Sequence, residues 1–200
     1  MLESLVGLLM QAEVMKTQIS VQETVDSYYV AEAGNASGHV IEIKYDVDSL
    51  GTVKGDLNEF KNVVAATLDD ARGWGRAGLK FTAVEGGAQM HVFLAEASEV
   101  AKASAGCSAE LSCTVKPNVY INDDRWLGAS DSYNALGVSL ANYRQMVINH
   151  EVGHFLGHDH ITSCETESGL APIMLQQSTG LLGCQANSWP LPSELWTKGL

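Results

Sequence analysis

Residues 150 to 160 read His-Glu-Val-Gly-His-Phe-Leu-Gly-His-Asp-His, and no other stretch of the chain restricts its folding so tightly. At 3.6 residues per turn, His150 and His154 stand one turn apart on one helix face, with Glu151 beside them. Gly157 tolerates positive φ, so the helix can stop there and the chain can turn back, returning His160 towards the two helical imidazoles. A helix that ran on would carry His158 about 12 Å along the axis from His150, too far to share an ion.

The spacing H-E-x-x-H-x-x-G-x-x-H suits one tetrahedral zinc ion held by His150, His154 and His160, with the fourth position open to water. Glu151 is placed to take a proton from that water and later return it to a leaving group. On spacing alone Asp159 and His158 are rival third ligands, and His158 is otherwise expected at the surface. His39 and His91 fall in predicted strands and are expected to be exposed or hydrogen-bonded there. The bland alternative is a core helix that happens to hold two histidines, which would leave Glu151 buried without a partner.

Periodicity places a strand at Val40 to Val47 and a long helix at Leu57 to Trp74, with Phe60, Val63, Val64 and Leu68 on its apolar face. Leu79 to Val84, Met90 to Ala95 and Asn118 to Asn122 are short β-prone runs. Glu110 to Val115 can form a further strand, turning at Lys116-Pro117-Asn118 into an antiparallel edge hairpin. A second long helix, Val138 to Leu156, carries the histidines. The stretch from Asn187 to Leu200 reads as a loop with one short helix and no assigned chemistry. The fold class is therefore α+β with an α/β-like mixed sheet. Residues 1–38 read as an N-terminal extension or linker ending in Gly34 to Gly38, and residues 39–200 as one domain.

Cys107 and Cys113 form a close pair and Cys164 and Cys184 a wider one, each flanking a Gly/Ser-rich loop, so two disulfides are expected. No C-x₂-C spacing supports a Cys₄ zinc site. Disulfides imply an oxidising compartment, hence a secreted or cell-surface protein. Met1 to Gln11 lacks the basic start of a signal peptide, so the export signal is expected to precede this numbering, and Leu5 to Met10 is too short to span a bilayer. A formal charge of −12 repels a phosphate backbone, which argues against a nucleic-acid partner.

With these residues in view, the chain resembles the metzincin metallopeptidases, which share the extended zinc motif and a tight methionine turn beneath the metal. Met174, in Ala171-Pro172-Ile173-Met174, fits that turn, against the alternative of an ordinary core methionine. Val147 to His154, Pro172 to Gln177, Gly180 to Cys184, Arg72-Gly73-Trp74 and Asp123-Asp124-Arg125-Trp126 look like an uncharacterised bacterial family of predicted secreted metzincins. That resemblance covers His39 to Pro190, and its four cysteines correspond to these four. It implies a twisted mixed sheet with an antiparallel edge strand, a long helix after the first strand, an active-site helix, the Met-turn and a short C-terminal helix. It also implies a zinc endopeptidase whose peptide or protein substrate pairs with the edge strand near Glu110 to Val115, and the chain is expected to be a monomer. Leu175, Gln176 and Gln177 follow Met174 where some metzincins carry a zinc-ligating tyrosine.

Two other readings fit the motif: a zinc hydrolase acting on cell-wall peptides or amides, and a non-catalytic, zinc-stabilised surface domain. In every reading one zinc per chain is expected. Elemental analysis should find His160→Ala depleted of metal far more than His158→Ala, and equal depletion contradicts the ligand assignment.

Overall fold

A computed structural model describes residues 40–198. By its contacts the chain divides into Met1–Ser37 and Gly38–Leu200. The N-terminal extension, residues 1–38, and the strand role expected of His39 lie outside the described residues.

The domain is a mixed α+β fold. A five-stranded sheet has the order β2-β1-β3-β5-β4, where β1 is Ile41–Leu50, β2 Leu79–Ala83, β3 Met90–Ala95, β4 Cys113–Val115 and β5 Asn118–Asn122. The first four neighbours run parallel and β4 closes the edge antiparallel to β5, as expected for the Lys116-Pro117 turn. Parallel neighbours need crossovers, and helix α1, Leu57–Leu68, supplies the one between β1 and β2.

Alternation along the strands decides which face is covered. Ile43 and Tyr45 of β1, Met90, Val92 and Leu94 of β3, and Val119 and Ile121 of β5 point into one core. That core is closed by Phe60, Val64 and Leu68 of α1 and by the long helix α5, Leu140–Leu156. Each such side chain stabilises the fold by about 1.5–3 kcal/mol when fully buried. On the opposite face, helix α2, Ala97–Ala103, packs Val100 against Ala95 and Tyr120. Between β5 and α5 lie two short helices, α3 (Asp123–Gly128) and α4 (Asp131–Asn134).

Several expected boundaries move, each for a local reason. The first long helix stops at Leu68, not Trp74, because Asp70 accepts both the backbone N–H and the guanidinium of Arg72, diverting the chain into a turn. Trp74–Ala77 then forms a separate 3₁₀ turn. The second helix begins at Leu140 because the Ser139 side chain accepts from the Asn142 N–H and caps it. The edge strand shrinks from Glu110–Val115 to Cys113–Val115. Asn122 Nδ2 binds the carbonyls of Ala109 and Leu111, holding that loop away from the strand ladder. The expected C-terminal helix is a single 3₁₀ turn, Pro192–Glu194. Helices α2, α3 and α4 were not foreseen, being too short to give a periodic signal.

Both expected disulfides are present, Cys107–Cys113 and Cys164–Cys184. The second spans a sequence separation of 20 and encloses the Pro172–Met174 segment. Its loss in a Cys164→Ser/Cys184→Ser variant is expected to lower stability by about 3 kcal/mol on the chain-entropy model. Denaturant titration checks this, and an unchanged midpoint contradicts it.

Candidate metal centre

Helix α5 is amphipathic only at its start. From Met146 to Gly153 every residue is buried, because the sheet packs on one side and the C-terminal loops on the other. At its end Gly157 adopts φ 100° and ψ 18°. The His158 N–H donates to Gly153 O at 3.0 Å and the Gly157 N–H to His154 O at 3.1 Å, the paired bonds of a Schellman stop. The chain reverses there, as the motif required.

The reversal brings His160 to the two helical imidazoles. Its Nε2 lies 3.3 Å from His150 Nε2 and 3.0 Å from His154 Nε2. His150 Nδ1 donates to Ile173 O at 2.7 Å and His154 Nδ1 to His158 O at 2.8 Å. Because carbonyls only accept, both protons sit on Nδ1 and both Nε2 atoms present lone pairs to the common point. A neutral His160 can donate to one of them at most, so lone pairs face each other unless a cation lies between. The donor set therefore fits a metal ion, and these three are the residues able to hold one among those described. Burial and the neighbouring imidazoles favour neutral rings. His150 is pushed down to about 3, first by burial and then by His154, while burial also lowers His154 and His160.

Glu151 opens on the same cleft as the three histidines, between a rim formed by Cys107, Leu111 and Cys113 and one formed by Gln176 and Ser178. Its side chain is 4% exposed, and burial raises its carboxyl to about 8, opposed by a hydrogen bond from Thr114. A divalent cation alongside favours the ionised form. A buried titratable carboxyl thus lines the same cleft as the candidate metal ligands.

Met174 lies in a tight turn closed by the Leu175 N–H donating to Pro172 O at 3.0 Å. Its sulfur lies against Gly153, leaving no space there for a β-carbon, so Gly153 is the residue that lets the turn approach the helix. The turn also carries His160: the Ile161 N–H donates to Met174 O at 3.0 Å, and Ile161 pairs with Leu175 in a parallel bridge.

Underneath, Glu194 is 2% exposed and its carboxylate accepts the N–H groups of Ile173, Met174 and Leu191 at 2.8 to 2.9 Å. Burial raises its carboxyl, while those three bonds pull it down. Ile173 is also the carbonyl partner of His150, so Glu194 supports a histidine through one residue of backbone. Asn187 to Leu200 carries no motif, and the lone acid between Trp189 and Trp196 is the one local signal of this role.

His158 departs from its expected surface position. It is 4% exposed, not a surface residue, because its ring lies against Trp74 and Trp196, and its Nε2 donates to Trp196 O at 2.8 Å. His91 is hydrogen-bonded to Asp46 at 2.8 Å within the sheet, away from the centre. Asp159 is exposed and outside the converging group. The two tryptophan motifs are scaffolding. Trp74 Nε1 donates to Asn149 O beside His150, and Asp123 accepts the N–H groups of Lys54 and Gly55.

The family of proteins of unknown function DUF3152 matches residues 19–192. The chain belongs to DUF3152. No curated protein matches it. The DUF3152 match takes in the three histidines, Glu151, Met174 and all four cysteines, and it begins upstream of the Ser37/Gly38 boundary. Two disulfides fit an extracytoplasmic member of DUF3152, and no described helix is long and apolar enough to cross a membrane.

Glu194→Ala orphans three buried N–H groups, and it is expected to destabilise the protein by about 3 kcal/mol or more. Calorimetry on parent and variant tests this, and a midpoint shift below one degree rules out the support role.

Proposed function

We propose that this DUF3152 protein is a metzincin-type zinc endopeptidase, secreted or held at the cell surface, that hydrolyses peptide or protein substrates as a monomer. One observation carries the reading: three imidazole Nε2 atoms converge on one point, and a buried carboxyl opens on the same cleft. Tetrahedral bonds of about 2.0–2.1 Å to zinc require ligand nitrogens about 3.3 Å apart. The two separations of 3.3 and 3.0 Å support zinc as the occupant.

When bound by three neutral imidazoles, zinc lowers the pKa of a water towards ~7 and polarises a carbonyl oxygen. The chain's own residues supply the rest. The carbonyls of Ile173 and His158 hold two imidazoles in the tautomer that faces the centre. Glu151 takes the proton of the attacking water and delivers it to the departing amine, serving as base and then acid. Strand β4 is the terminal strand, and its Cys113 lines the cleft. An extended peptide there can gain main-chain hydrogen bonds, which supports a peptide over a compact substrate.

Glu151→Gln keeps the side-chain size but removes the proton acceptor. It is expected to retain zinc and fold while turnover of a denatured protein falls by ~10²–10⁴-fold. His154→Ala should lose metal and activity together. Parallel assays with a peptide library, cell-wall peptides and a chelator separate the readings. Cleavage confined to cell-wall amides would replace the substrate class, and a zinc-loaded parent that cleaves nothing would leave a binding domain. Undiminished turnover by Glu151→Gln would remove Glu151 from the reaction.

A further inference from the structure

Glu151 has three side-chain torsions, yet a proton-transfer group must be held within about 0.5 Å of its working position. Among the described residues, the hydrogen-bond partner of its carboxylate is Thr114, at the centre of the three-residue edge strand β4. Thr114 Oγ1 lies 2.8 Å from Glu151 Oε2 and 2.9 Å from the Glu151 carbonyl oxygen. We infer that Thr114 is the positioning residue of Glu151, its hydroxyl holding the carboxylate in the orientation that faces the cleft. This rests on the hydrolase reading above.

The hydroxyl carries one proton and is within reach of two acceptors, so it donates to one at a time. An ionised carboxylate is the stronger acceptor and takes that proton in a charge-assisted bond. With Oε2 held by the hydroxyl, Oε1 is the oxygen free to take a proton from water, and after that transfer the hydroxyl still donates to Oε2 or turns to the Glu151 carbonyl. By rotating its own O–H bond the hydroxyl can thus hold the carboxyl in both halves of the proton cycle. Valine matches threonine in shape and cannot do this.

The strand fixes where the hydroxyl sits. Thr114 pairs with Val119 of β5, and its neighbour Cys113 is tied to Cys107 across the cleft rim. A peptide pairing with β4 would lie along the same three residues that orient the base. The strand that would receive the substrate is therefore also the one that positions Glu151.

The test compares Thr114→Val, Thr114→Ala and Thr114→Ser in the full chain loaded with zinc. Without the hydroxyl, kcat on a denatured protein should fall by about 10–100-fold, with KM and zinc content near those of the parent. Thr114→Ser should recover most of the rate. A second readout needs no turnover: the ¹³C resonance of the Glu151 carboxyl, identified by its absence from Glu151→Gln. It should shift in Thr114→Val or Thr114→Ala and stay near the parent position in Thr114→Ser. Equal kcat in parent and Thr114→Val overturns the inference, as does a serine variant as impaired as the valine one. If Thr114→Val fails to fold, the alanine variant decides. If the parent cleaves no substrate, the hydrolase reading fails, and the carboxyl resonance alone decides whether Thr114 holds Glu151.

Discussion

The left-handed stop at Gly157 is the constraint on which the site depends. Two histidines one turn apart can share an ion, but a third ligand has to come from a chain that has turned round, and a helix with a side chain at every position resists φ near 100°. With the stop in place, His158 N–H and Gly157 N–H satisfy helix carbonyls that would otherwise be buried and unpaired. The same turn aims the His158 carbonyl at His154 Nδ1. One glycine therefore ends the helix, selects a tautomer and brings in His160.

Everything beneath the histidines opposes relaxation of that geometry. The Met174 turn fills the space left by Gly153, and its backbone binds Ile161 on one side and Glu194 on the other. Converging Nε2 lone pairs repel in the absence of a cation, so the scaffold has to hold them against that repulsion. A buried carboxylate accepting three backbone N–H groups is a stiff support, since each of those groups is costly to leave unpaired. The Cys164–Cys184 bridge encloses the same loop and limits the conformations of its unfolded chain.

Above the histidines the cleft is built differently. One rim is the short strand β4 with its disulfide, the other the loop after Met174. Glu151 lies at the junction, bonded across to Thr114. Burial raises both buried carboxyls, but Glu151 has one hydroxyl partner and opens on the cleft, whereas the deeper carboxylate of Glu194 accepts three backbone donors. Two buried glutamates thus receive different partners from the fold.

Much of this was legible in the chain. The helical spacing of His150 and His154, the glycine stop, the strand at Met90 to Ala95 and both cysteine pairings follow from local rules: residues per turn, tolerance of positive φ, side-chain alternation and short loops. The sequence by itself determined which groups could meet a metal and on what element they would ride. Tertiary structure decided what holds them. Thr114 meets Glu151 across 37 residues, Glu194 meets the Met174 turn across 20, and Trp196 reaches His158 across 38. None of these residues has a motif, because a hydroxyl, a carboxylate or a carbonyl acquires its role only from the groups that folding brings to it. Burial likewise turned His158 from an expected surface residue into part of the core, since its fate depended on two tryptophans that no local pattern connects to it.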